Sequence, residues 1–319
     1  MPQATAVRAD PTRWPEDLFQ IFSKFNLICK HIAKLIEIHE HTSFWSDQMK
    51  PVFIVGVPRS GTTLLRVVLD SHPNLAVGPE CPWISGNYGQ VVSFRHLYES
   101  LISHKSGPIQ NFNYIDEKVV AASLGKAIGD ILQVYAESNG KQRWIEKTPD
   151  NIAFIPFLKT VFPKAKYIHI IRDGRDVAVS SYQARHQWGT HINCNGKRLA
   201  NTIINCLKRW NLWLSQFQQW IVEFDLDVHA LKYEDFIANP RKTVEGVLSF
   251  IDEPWDDRVL NYLDFSHDLP SREMGTKDVI SKEKFSSDSV GRWKIDFVLT
   301  DKLRYKFVAG KTLKQFGYI

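Results

Sequence analysis

Cysteine is scarce in this chain and never paired. Cys29, Cys81, Cys194 and Cys206 are the only four in 319 residues, and none belongs to a CxxC pair. A disulfide framework is not implied, and a structural zinc site is not expected. The eleven histidines are scattered, without the HxH or HExxH spacing of a metal site, so no metal is expected. Long apolar runs are missing too. No stretch of about 18 apolar residues occurs, so no membrane span is expected. Residues Met1 to Asp17 contain Pro2, Pro11 and Pro15 and lack the apolar core of a signal peptide. The expected location is therefore the cytoplasm. There is no internal repeat and no long Gly/Ser linker. Neither sign of charge dominates: Lys plus Arg is 40, Asp plus Glu is 35, and the net charge is +5. That excess fits an anionic ligand and is too small to argue for nucleic acid, so no nucleic-acid partner is expected.

What is present is a succession of short β-branched runs alternating with helical patterns. Residues 18–40 place Phe22, Phe25, Ile28, Ile32, Leu35 and Ile36 at helical spacing, which predicts an amphipathic helix. Val52-Phe-Ile-Val-Gly-Val57 reads as a buried parallel strand ending in a Gly-rich turn, with a helix from Thr62 to Asp70 after it. Lys166 to Arg172 and Asp227 to Lys232 are two further strands. The first leads into a helix over Asp173–Arg185, the second through a loop into one from about Pro240. Helical patterns fill 115–138 and 197–222, and the tail 300–316 reads as a last helix. This alternation predicts one doubly wound α/β domain, a parallel sheet flanked by helices. The organisation expected is a single domain over 1–319: a helical extension over 1–50, a core over 51–295 and a C-terminal helix over 296–319.

The strongest motif is Gly56-Val-Pro-Arg-Ser-Gly-Thr-Thr63, between the first strand and its helix. Its spacing is that of a P-loop, whose backbone N–H groups and helix N-terminus converge on an anion. It departs from the ATPase form in a telling way. Thr62 stands where the Walker lysine would be, and the cation is Arg59, inside the loop. Arg59, Ser60, Gly61, Thr62 and Thr63 are thus candidate anion-binding residues, and Mg-ATP is a poor match.

Pro58 to Leu64 resembles the 5′-phosphosulfate loop of sulfotransferases that use 3′-phosphoadenosine 5′-phosphosulfate (PAPS). A second element, Ile171 to Ser181, is similar to the same family's 3′-phosphate motif, with Arg172 after a strand and Ser180 eight residues on. A guanidinium engages phosphate with two donors and the hydroxyl adds a third. The resemblance spans roughly 50–295. It is closest to the branch holding protein-tyrosine sulfotransferases and many bacterial enzymes, through His72-Pro73, Gly78-Pro-Glu80, Glu146-Lys-Thr-Pro149, Lys232-Tyr-Glu-Asp235 and Val290-Gly-Arg-Trp293.

The resemblance implies a P-loop nucleoside-triphosphate-hydrolase-like sulfotransferase fold and metal-independent transfer of a sulfuryl group from PAPS, leaving adenosine 3′,5′-bisphosphate. It makes Glu80 the candidate base, 21 residues after Arg59, and Lys147 the cation at the leaving-group oxygen, a role Arg59 shares. It assigns Tyr233, Arg292 and Thr276 to the nucleotide. Where the tyrosine-sulfating branch has acidic-peptide contacts, this chain has Cys81-Pro-Trp83. The expected acceptor is accordingly a small molecule with a hydroxyl or amine, with Trp83, Tyr88 and Trp188 as aromatic walls. His186 or His191 is the alternative base, and His169 reads as a satisfied core residue. Related proteins commonly dimerise, so a homodimer is an expectation. The competing activities are a P-loop kinase or nucleotidase using Mg-ATP, a tyrosyl-peptide sulfotransferase and a non-catalytic anion-binding module.

Overall fold

The computed structural model describes residues 51–86, 92–103, 116–188, 202–268 and 284–319. The helix expected over 18–40, and with it the extension over 1–50, lies outside the described residues, as do Tyr88, His191 and Thr276.

The chain enters on strand β1 (Val52–Val55) and turns into helix α1 (Thr62–Asp70). The short strand β2 (Leu75–Ala76) follows, then helices α2 (Pro82–Ser85), α3 (Phe94–Ile102) and α4 (Glu117–Ser138). Next come β3 (Arg143–Lys147), a 3₁₀ turn (Pro149–Ala153) and α5 (Ile155–Val161). Strand β4 (Lys166–Ile171) leads into α6 (Gly174–Trp188), and α7 (Ile203–Glu223) precedes β5 (Asp227–Lys232). Helices α8 (Tyr233–Ala238) and α9 (Pro240–Phe250), a 3₁₀ segment (Asp257–Asp264), α10 (Trp293–Asp296) and α11 (Leu299–Gln315) complete the described chain.

The five strands form one parallel sheet in the order β2-β3-β1-β4-β5. All four residues of β1 are fully buried, because both faces of the strand are covered. Alternate side chains serve two cores. Phe53 and Val55 join Trp144, Phe162 and Tyr167 on the face covered by α4, α5, α6, α7 and α11. Val52 and Ile54 join Leu65, Val68, Phe236 and Val247 on the face covered by α1, α8 and α9. Phe53 stands at the aromatic centre of the first core, with ring centroids 5.3 Å from Phe162 and 5.9 Å from Tyr167.

The residues between β5 and Pro240, expected as a loop, form α8. This helix stops at Asn239, because a residue before proline is pushed out of the helical region; its φ of −137° and ψ of 65° show the effect. Helix α4 is apolar and long enough by composition to cross a membrane, and one of its faces, with Ala121, Ile128, Leu132 and Ala136, is buried in the first core. Gly125 lies so close to α5 that a Cβ there would meet the Val161 carbonyl oxygen at 2.2 Å. His169 is fully buried against Phe217, but both ring nitrogens lack a hydrogen-bond partner among the described residues. It is thus core, as expected, but not satisfied. Burial pushes its pKa down to about 3, so the ring is neutral at ordinary pH.

Candidate active site

Every strand of the sheet carries one candidate at or just beyond its carboxyl end: Arg59 after β1, Glu80 after β2, Lys147 closing β3, Arg172 after β4 and Tyr233 after β5. Strand order reverses around β1, where β3 lies on one side and β4 on the other. Ligands of open α/β sheets bind in the crevice at that edge.

The glycine turn is built for close approach. Gly56 has no room for a Cβ, which would sit 2.7 Å from the Ile170 carbonyl of β4. Gly61 caps α1 with φ at +99°, and a Cβ there would stand 2.4 Å from the Tyr233 ring. Arg59 holds φ at +79°, a left-handed conformation that a non-glycine residue rarely adopts. No side chain caps the N-terminus of α1, so its first N–H groups face the turn.

The two anion motifs meet. The Arg172 guanidinium donates through Nη1 to the Arg59 carbonyl at 3.1 Å, and Arg59 Nε donates to Ser180 Oγ at 3.0 Å. Arg172 also lies over the Tyr233 ring, 4.5 Å from its centroid, and donates through Nη2 to the Ser289 carbonyl. Two polar atoms in this nest have no hydrogen-bond partner among the described residues: Ser60 Oγ and Arg172 Nε, both buried. A buried donor left unmade costs roughly 1–3 kcal/mol, so an anion that accepts from both fits the nest.

Lys147 and Glu80 also come together. The ammonium is fully buried and donates to Glu80 Oε1 at 2.8 Å, while the carboxylate keeps 19% of its surface in solvent. This lysine thus has a partner on the loop after β2, 67 residues earlier in the chain. The pair puts a cation and a base candidate beside the crevice.

Residues 51–257 match the model of the Sulfotransferase family. The chain belongs to that family.

Protein-tyrosine sulfotransferase A of Caenorhabditis elegans is 30% identical over 237 residues, covering 71% of this chain and 57% of that protein. An uncharacterized protein of Aquifex aeolicus is 25% identical over 285 residues, covering 88% of this chain and 34% of its own length. The chain thus spans 34% and 57% of the length of these two relatives. The sulfotransferase domain of the Synechococcus PCC 7002 olefin synthase is 20% identical, with a TM-score of 0.52 over 82% of this chain and 95% of that domain. It shares the fold.

Ser289 and Asp176 join this cluster without having been singled out from the sequence. Ser289 ties two candidates together, its hydroxyl 3.0 Å from the Tyr233 hydroxyl and its carbonyl on Arg172. Asp176, in the first turn of α6, accepts from the N–H groups of Gly291 at 2.7 Å and Trp293 at 2.9 Å. Burial pushes its pKa up against those two bonds. Arg292 is held by this clamp on α6, donating to Gln183 at 2.9 Å and Asp296 at 3.0 Å. Gln183 is one turn beyond Ser180, so this cation shares a helix face with Ser180.

A buried network lies beneath the Glu80 loop. Glu146 Oε1 accepts from Thr148 Oγ1 and Oε2 accepts from Asn151, both at 2.5 Å. Thr148 Oγ1 in turn accepts from the Cys81 N–H at 2.8 Å, and Asn151 Oδ1 accepts from Ser85 Oγ at 2.6 Å. Three residues of β3 and its turn, Glu146, Thr148 and Asn151, therefore hold the segment that follows Glu80. Burial is the main cause that pushes the Glu146 carboxyl up to about 7, opposed by the Thr148 bond and the Lys147 charge. Burial likewise pushes the Cys81 thiol well up, so it stays protonated. Trp83 packs edge-on against Phe94 at 5.8 Å. The side chains of His186 and Trp188 lie outside the described residues.

Proposed function

We propose that this chain moves a sulfuryl group from PAPS to the hydroxyl or amine of a small-molecule acceptor, by in-line transfer. The observation that carries the reading is the junction of the two motifs: Arg172 and Ser180, 113 and 121 residues from Arg59, both bond to it. A single cradle for a donor with phosphates at both ends needs that junction. The buried, unpartnered Ser60 Oγ and Arg172 Nε match the acceptor oxygens of such a donor. PAPS supplies an activated sulfuryl group with a phosphate leaving group. Ser60, Thr62, Thr63 and the N–H groups at the start of α1 hold the 5′ end, and Arg172, Ser180 and Arg292 hold the 3′ end. Tyr233 packs beneath the turn at Gly61, and Thr276 remains assigned by resemblance. Lys147 and Arg59 oppose charge that develops on the leaving oxygen, and Glu80 accepts the acceptor's proton. These cations supply the charge stabilisation a metal would otherwise provide.

Calorimetric titration tests the donor. Adenosine 3′,5′-bisphosphate should bind and Mg-ATP should not; tight ATP binding without bisphosphate binding would reverse the order of the two readings. A tyrosyl-peptide acceptor is the second reading, favoured by the 30% identity to a protein-tyrosine sulfotransferase. Mass spectrometry after incubation with PAPS, against a panel of alcohols and amines and against tyrosine-containing acidic peptides, separates the two. A mass gain on the peptides alone would overturn the small-molecule reading.

A further inference from the structure

The described residues hold their largest run of exposed apolar side chains at the C-terminal end. Leu299, Leu303 and Phe307 of α11 are 73%, 64% and 92% exposed, and Ile295 just before the helix is 87% exposed. Val298 belongs to the same exposed run. Residues four apart on a helix lie above one another, so Leu299, Leu303 and Phe307 form one stripe along the outer face. The opposite face is spent: Tyr305, Ala309, Thr312 and Leu313 are buried, and Thr312 bonds Asn211 of α7 at 2.5 Å. Cations border the stripe on both sides. Lys302 and Lys306 run along one margin, Arg304 and Lys311 along the other, and Lys314 stands at its end, all exposed. The nearby acids are Asp296, which is engaged by Arg292, and Asp301 on the inner side of the first turn.

We propose that the outer face of α11 docks on a lipid surface rich in anionic headgroups. An apolar stripe of this length in water is unfavourable and calls for a cover. The charge pattern selects the cover. In a helix pair made with a second copy, both cationic margins would meet cationic margins, and like charges would oppose the association. At a bilayer the same margins reach outward to phosphates while their methylene stems and the stripe sit among acyl chains. The helix lies in the plane of the interface and does not span it. Since Ile295 and Val298 extend the stripe back toward Arg292, docking joins the lipid surface to the end of the chain that closes on α6.

The test is co-sedimentation of the full chain with vesicles of phosphatidylcholine alone and of phosphatidylcholine mixed with phosphatidylglycerol. The chain should sediment with the mixed vesicles only, and added salt should release it. The double variant Lys302→Gln, Lys306→Gln should weaken binding about thirty-fold, since each cation near an anionic surface contributes ~1 kcal/mol. The double variant Leu303→Ser, Phe307→Ser should weaken it at least about tenfold through lost apolar burial. Both pairs are exposed, so circular-dichroism melts should match the wild type, which separates lost docking from lost folding. Three outcomes overturn the proposal: no binding of the wild type to mixed vesicles, equal binding to both vesicle types, or binding that survives both double variants. Light scattering provides a fourth: a dimer that Phe307→Ser converts to monomer, without vesicle binding, would assign the face to a second copy.

Discussion

Replacing Lys147 with methionine isolates the ammonium from the stem that carries it. The side chain is fully buried at the end of β3, and methionine fills nearly the same volume, so packing is largely kept. What is lost is one charge, 2.8 Å from Glu80 Oε1. At an effective dielectric constant of about 20, two unit charges at that separation attract by about 6 kcal/mol before desolvation is counted. Most of this is offset by the cost of burying the ammonium, and Glu80 regains water on its exposed side. The net loss of folding stability should therefore be modest, about 1–3 kcal/mol, read from urea unfolding. The kinetic loss should be larger in its consequence. A preorganised charge that acts on the leaving oxygen contributes about 10²–10³ in kcat, by analogy with the removal of one oxyanion-hole donor. Binding of adenosine 3′,5′-bisphosphate should change by less than about threefold, because Arg172, Ser180 and the glycine turn remain. The assay is steady-state transfer at saturating PAPS beside calorimetry with the bisphosphate. A variant that binds the bisphosphate far more weakly but keeps its kcat would refute the transition-state role.

Arg172→Ala should show the opposite split: bisphosphate affinity falls about ten- to a hundred-fold, given ~1.5–3 kcal/mol for a hydrogen bond to a charged group, while kcat at saturation changes little. Gly61→Ala should abolish bisphosphate binding in calorimetry, since the new Cβ would meet the Tyr233 ring at 2.4 Å on a backbone with φ at +99°; binding at the wild-type affinity would contradict the close-packed turn. Glu146→Gln should flatten the pH dependence of stability. In the folded chain the carboxyl keeps its proton up to about 7, against an ordinary 4.5, so the folded state binds more protons between those values. Stability is then full below about 4.5, falls as pH rises to about 7 and levels off above it, a loss of ~3 kcal/mol at 1.36 kcal/mol per unit. Urea midpoints from pH 5 to 8 should show this slope in the wild type and not in the variant; parallel slopes would rule Glu146 out as its source. EDTA should leave transfer activity unchanged, and a loss restored by magnesium would return the Mg-ATP reading to first place.

Much of this molecule is written locally. The run Val52–Val55 is continuously apolar and β-branched because it is covered on both faces, and that composition alone marks a central parallel strand. The glycine spacing over 56–61, with Thr62 at the Walker lysine's position and Arg59 as the cation inside the loop, already points to an anion other than Mg-ATP. Arg172 and Ser180, eight residues apart on a strand end and the helix after it, were legible through their resemblance to the family's 3′-phosphate motif. Helix α8 is the counterexample: six residues between a strand and a proline carry too little pattern to be told from a loop.

The tertiary structure decided which of these parts share a place. Parallel pairing of β1 with β3 and β4 brings Lys147 and Arg172 to the same sheet edge as Arg59, although 88 and 113 residues of chain separate them. Lys147 bonds Glu80, 67 residues earlier in the chain, because parallel pairing of β2 with β3 sets the ends of the two strands side by side. Ser289 and Asp176 each make two long-range hydrogen bonds, which leave no periodic trace in the sequence. Sequence by itself determined the kinds of group this protein would use, since composition and short spacing specify chemistry. Only the folded sheet determined their company, since proximity between distant segments follows from strand order and packing.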